Sequence, residues 1–110
     1  MALSKQDVVD LLESNPLTAG QINIYKMLYE DGGTVTARAM ADRIAGGNLR
    51  SLNGTLQAIA NRISREGGKR DEVLGEIFYV LNGGERTLYG LRLVTRRAID
   101  DCDALLDTFD

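Results

Sequence analysis

From Asn48 to Arg65 the chain places Leu49, Leu52, Leu56, Ile59, Ala60 and Ile63 three or four residues apart. That spacing lines one side of a helix and demands other elements to cover it. The opposite side, Arg50, Ser51, Asn53, Gly54, Thr55, Gln57, Asn61 and Arg62, is polar, and no carboxylate occurs between Arg50 and Arg65. Asn48 is placed to cap the helix. Gly54 interrupts it at a cost of about 1 kcal/mol relative to alanine. A glycine there either packs tightly on the preceding helix, the reading favoured, or admits another backbone.

The flanking segments carry their own punctuation. Ser4 and Asp7 have S-x-x-D spacing and open a short helix to about Ser14, stopped by Asn15-Pro16. Thr18 and Gln21 form a T-x-x-Q capping box before a helix whose inner face is Ile22, Tyr25, Leu28 and Tyr29, ended by Gly32-Gly33. Thr34-Val35-Thr36 reads as a brief strand. Thr36 caps a third helix, Ala37 to about Ala45, with Ala37, Met40, Ala41 and Ile44 inward and Gly46-Gly47 at its end. Residues 66–75 read as a loop. Ile77–Leu81 and Thr87–Val94 flank Asn82-Gly83, a strong hairpin signal. Thr95 is placed to cap a last helix lined by Ile99, Cys102, Leu105, Leu106 and Phe109.

The expected fold class is therefore mainly α with a small β-hairpin, α+β, in a single domain over residues 1–110, with terminal helices at about 4–14 and 96–109. The segment Thr18–Val94 resembles the winged helix-turn-helix superfamily in its order of helix, short strand, two helices joined by a tight turn, and a two-stranded wing. The resemblance implies that Thr36–Arg65 is the helix-turn-helix, with Gly46-Gly47-Asn48 as its turn. It further implies that Glu76–Val94 is the wing, with the strand at Thr34–Thr36 pairing beside it.

Composition excludes more than it assigns. The 110 residues include no histidine, which removes the usual general base, the Ser-His and Cys-His nucleophile pairs and the commonest zinc ligand. No phosphate-cradling or dinucleotide-binding glycine motif occurs. Neither an enzyme nor a cofactor or metal site is expected. The single cysteine, Cys102, cannot form an internal disulfide and reads as a half-buried packing residue in a reducing compartment. No apolar run approaches the roughly 20 residues that span a bilayer, and Met1–Asp10 lacks the pattern of a secretory leader. The cytoplasm is the expected location, with no membrane partner.

The net charge of −3 is unevenly spread. Residues 1–33 hold two basic and five acidic side chains, residues 34–97 eleven and six, and residues 98–110 none and five. The basic excess falls on the segment that resembles a DNA-reading unit, and lysine and arginine gain affinity for a duplex by releasing condensed counterions. In the family the start of the second helix enters the major groove. The resemblance therefore implies that Arg50 pairs with guanine, that Asn53 or Gln57 pairs with adenine, and that Ser51 and Thr55 touch phosphate. Asn61 and Arg62 extend that face, Arg86 and Arg92 serve from the wing, and Arg38 serves from the preceding helix. The expected function is a non-catalytic DNA-binding regulator or accessory domain, with double-stranded DNA as partner. The alternative is a protein-interaction module on the same scaffold, such as a small phage or mobile-element inhibitor of a host protein. The apolar stripe of the acidic C-terminal helix either packs on the first helix or forms a symmetric dimer contact.

Overall fold

The computed structural model describes residues 3–13, 17–81 and 84–109, with backbone alone for 77–81 and 84–86. Six helices and three strands follow in the order α1 (Lys5–Glu13), α2 (Ala19–Asp31), β1 (Val35–Thr36), α3 (Ala37–Ile44), α4 (Leu49–Arg65), β2 (Leu74–Leu81), β3 (Gly84–Leu91), α5 (Leu93–Asp100) and α6 (Asp103–Thr108). A 3-10 turn at Arg70–Glu72 precedes β2. The class is α+β: mainly helical, with one small three-stranded antiparallel sheet of order β1-β3-β2. No helix among the described residues is long and apolar enough to cross a membrane.

Side-chain caps start the first four helices. Ser4 Oγ accepts from Asp7 N at 3.1 Å, while Ser4 N donates back to Asp7 Oδ2 at 3.0 Å. Thr18, Thr36 and Asn48 accept from the amides of Gln21, Ala39 and Ser51 at 3.2, 3.0 and 3.0 Å. The box expected at Thr18 is only half made. Gln21 is buried, and its Oε1 finds no hydrogen-bond partner rather than returning to the Thr18 amide. The α3–α4 turn depends on glycine, because Gly46 and Gly47 stand in succession at φ 59° and 82°, a conformation costly for other residues. The turn is closed by Gly47 N donating to Ala41 O at 2.8 Å.

One continuous core joins all layers. Leu52, Leu56, Ile59 and Ile63 of α4, each at most 1% exposed, pack with Ile24, Tyr25 and Leu28 of α2, Met40 of α3, and Val73 and Leu74 at the root of the hairpin. The helix α5 packs against α1, and Phe109 at the end of α6 meets the Tyr29 ring of α2 at 5.7 Å between ring centres. Ile99, Cys102, Leu105 and Phe109 are buried and Leu106 is half-buried against the same core.

Several expectations are corrected. The last helix is two, broken at Asp101–Cys102. Its first part begins at Leu93 rather than after Thr95. Thr95 caps nothing: it is fully buried and its hydroxyl donates to Val73 O at 2.8 Å. The return strand accordingly ends at Leu91, and β2 begins three residues before Ile77. Leu49, placed on the apolar stripe by spacing, is 38% exposed. Cys102 is buried rather than half-buried. The loop at 69–72, which carried no expected role, anchors the N-terminus: Glu72 accepts from Leu3 N at 2.8 Å and from Lys69 N at 2.9 Å. The turn residues Asn82 and Gly83, like the helix stop at Asn15-Pro16, lie outside the described residues; the last described pair of the hairpin is Leu81↔Gly84.

Candidate nucleic-acid interface

With its apolar side spent on α2, α3 and the hairpin root, α4 turns the other side outward. Arg50, Asn53, Gly54, Gln57, Asn61 and Ser64 recur at helical spacing on that side, and all six are exposed. From Arg50 to Ser64 the stripe runs about 21 Å along the helix. Gln57 Nε2 donates to Asn61 Oδ1 at 3.1 Å. This contact steadies both amides and leaves the Gln57 oxygen and the Asn61 nitrogen available, one acceptor beside one donor. Among the described residues, none makes a hydrogen bond or ion pair with the side chain of Arg50 or Asn53. The stripe is thus donor-rich and carries positive charge without a neighbouring carboxylate on its own helix.

The residues expected to act together are only partly brought together. Arg50, Ser51, Asn53, Gln57 and Asn61 share the open side. Thr55 and Arg62 are half-buried on the flank facing α2. The Thr55 hydroxyl donates to Ser51 O at 3.2 Å, and its methyl lies so near Gly20 that a Cβ there would stand 3.3 Å away. Thr55 is therefore a packing residue between α4 and α2, not an outward phosphate contact. The Arg62 charge acts on Tyr25, opposing part of the rise that burial imposes on that hydroxyl. Arg38 is exposed in the first turn of α3. Arg86 stands in β3 opposite Tyr79, and its side chain lies outside the described ones. Arg92 is committed to the fold: its Nε donates to Asp71 O at 2.7 Å and its amide to Val73 O at 3.1 Å, tying the end of β3 to the 3-10 turn.

Gly54 departs from the favoured expectation. A Cβ at that position would meet nothing within 4 Å, so no neighbouring helix requires a glycine there. The residue lies in the open stripe between Asn53 and Gln57. Ser64 is the one member of the stripe missed in the sequence, although continuing the helical period from Arg50 through Gln57 and Asn61 reaches it.

Among the described residues, Asp100 and Asp101 of the acidic C-terminal segment take partners away from this stripe. Asp101 pairs with Lys5 at 2.6 Å. Asp100 accepts from the Tyr29 hydroxyl, and this bond is the main cause holding that phenol protonated beyond its ordinary range. Arg96 is likewise internal. Its two terminal nitrogens donate to Tyr29 O and Leu28 O at 2.9 and 3.2 Å, satisfying the last carbonyls of α2, and its guanidinium lies 5.2 Å from the Tyr29 ring centre.

Elsewhere the surface offers less. A shallow cleft of about 670 Å³ between α2 and α3 is lined by Lys26 and Arg43 but also by Glu30 and Asp31, and Lys26 is 4.0 Å from Glu30. Its charges largely answer one another. No group of three or more histidine, cysteine or carboxylate residues is placed to hold a metal among the described residues. No protein-family model matches the chain, and neither does any curated protein or solved structure.

Proposed function

We propose that this chain is a winged helix-turn-helix protein that binds double-stranded DNA without catalysis, as a transcriptional regulator or accessory DNA-binding domain, by laying α4 in the major groove. One observation carries the reading: in a chain of net charge −3, the long outward stripe of α4 is uncovered, holds amide donors and acceptors beside Arg50, and has no carboxylate. The order α2, β1, α3, turn, α4, hairpin, with β1 paired to β3 rather than to β2, supports the winged-helix reading. Arg50 is suited to the paired acceptors of guanine, and Asn53 or Gln57 to the donor–acceptor edge of adenine, each good pair discriminating by about 1–3 kcal/mol. Arg38, exposed in the first turn of α3, is suited to a phosphate contact. Burial of the lone thiol of Cys102 suits a reducing interior such as the cytoplasm.

The test is duplex binding at two salt concentrations with mixed genomic fragments. Affinity falls steeply with salt in proportion to the phosphates engaged. The double substitution Arg50→Ala with Asn53→Ala abolishes the shift and leaves the far-ultraviolet circular dichroism and the melting temperature unchanged, since neither side chain supports the fold. Absence of any shift at low salt refutes the proposal. A protein partner is the second reading. It is favoured by the exposed carboxylates of the terminal helices, among them Asp7, Asp10 and Asp103. A single stoichiometric protein recovered by pull-down, together with no DNA shift, selects it.

A further inference from the structure

The sheet is open on one side. Its order leaves β2 as an edge strand, with no strand paired on its outer side among the described residues, although Leu74 at its root is buried. The row of N–H and C=O groups along such an edge is a template for another strand. The far side of the sheet is protected by comparison. There β1 is two residues long and runs directly into α3. Where β3 continues past β1, its sequence is Gly84, Glu85, Arg86 and Thr87. Charged residues are among the devices by which natural edges are blunted.

In its outer part β2 has no such device. Ile77, Phe78, Tyr79, Val80 and Leu81 are consecutive, apolar and strongly β-forming, and none is proline. The single charge of the strand, Glu76, has its own partner, with Arg70 Nε 2.5 Å from Glu76 Oε1, close in distance though not aligned as a hydrogen bond. Five successive apolar residues leave neither set of alternate positions polar, a pattern that belongs to strands covered on both faces. β3 pairs along one edge of β2, and the Arg70–Glu72 turn meets the strand.

We propose that a second copy of this chain pairs with β2, antiparallel and about a two-fold axis, joining two three-stranded sheets into one of six strands. The asymmetry of the edges selects a like copy. A head-to-tail contact of β2 on β1 finds only two residues to pair with, so it cannot propagate. A β2–β2 contact occupies both open edges at once and closes the assembly. The uncharged outer half sets no like charges against each other across the axis. The C-terminal stripe, the other candidate for a symmetric contact, is consumed by the core. The proposal does not depend on DNA binding.

Sedimentation of the full chain over a dilution series is the test. The expected result is a dimer that dissociates on dilution. Tyr79→Lys and Tyr79→Glu, each alone, weaken dimerisation by about tenfold or more through like-charge opposition across the paired strands. An equal mixture of the two recovers it, because lysine of one copy then meets glutamate of the other. Circular dichroism confirms that each variant folds; if either does not, Val80→Lys with Val80→Glu takes its place. A wild-type chain that is monomeric throughout overturns the proposal and leaves the edge to a foreign strand or to none. Variants that dimerise like the wild type, or a mixture that stays monomeric, overturn it equally.

Discussion

Replacing Gly54 by alanine separates the demands of the fold from those of the proposed interface. Gly54 is the sixth of the seventeen residues of α4 and is exposed. In a helix interior glycine is less favourable than alanine by about 0.8–1.0 kcal/mol, because more backbone freedom is lost on folding. The added methyl finds open space for 4 Å, so no steric cost offsets the gain. Gly54→Ala should therefore stabilise the chain by close to 1 kcal/mol, raising the melting temperature by roughly 4 °C for a domain of this size. Gly20→Ala is the internal control. Its methyl would lie 3.3 Å from Thr55 Cγ2, so part of the helical gain is lost to displacing that side chain. Duplex affinity should move the opposite way at Gly54. A methyl inserted where the groove approaches the helix costs about 1–3 kcal/mol by overpacking, which is roughly five- to 140-fold in the dissociation constant. Urea titration and thermal melting read the first effect, and fluorescence anisotropy with a labelled duplex reads the second. No gain in stability refutes the reading of Gly54 as unconstrained by the fold. A gain with undiminished affinity refutes close approach of DNA at this turn of α4.

Two further outcomes are expected. Arg96→Ala removes two charge-assisted bonds to the last turn of α2 and a ring contact, and is expected to cost about 1–2 kcal/mol in urea unfolding; Arg96→Lys recovers less than half, since lysine keeps the charge but not the fork, and full recovery by lysine contradicts the geometry. Alkaline pH should destabilise the chain in two stages. Burial, with Glu13 adding to it, pushes the Cys102 thiol from its ordinary value of 9.0 up to about 11. Folding therefore holds the proton more tightly, and the associated stability is full below about pH 9 and lost as pH rises toward 11. The Tyr25 hydroxyl, raised by burial, and that of Tyr29, raised first by its bond to Asp100, extend the loss above pH 10. Melting temperatures across this range should be level to about pH 9 and then fall, with Cys102→Ala removing the earlier part of the decline. A level profile through pH 11 contradicts the burial of these groups.

The open side of α4 was legible in the sequence because it is the complement of a strong apolar period: once Leu52, Leu56, Ile59 and Ile63 are assigned inward, Arg50, Asn53, Gln57 and Asn61 have one direction left. The flank was not legible. Thr55 and Arg62 lie at the margin of the stripe, where a small change in how α2 crosses α4 decides between solvent and contact. Leu49 shows the same limit from the apolar side, since the period continues to it but burial does not. The resemblance makes Arg92 a wing contact, yet Arg92 binds the carbonyl of Asp71, and Arg96 those of Tyr29 and Leu28, distant in the chain, which no local pattern announces.

Local chemistry by itself determined the succession of helices and the hairpin, because capping oxygens, left-handed glycines and periodic apolar residues act over a few positions. Tertiary structure alone decided that β1 joins β3, that the Thr95 hydroxyl is buried on Val73 O instead of capping a helix, that the final helix breaks at Asp101–Cys102, and that its apolar stripe joins the common core. Those outcomes turn on which distant surfaces meet, and burial of shared area and of backbone polar groups, rather than propensity, settles them.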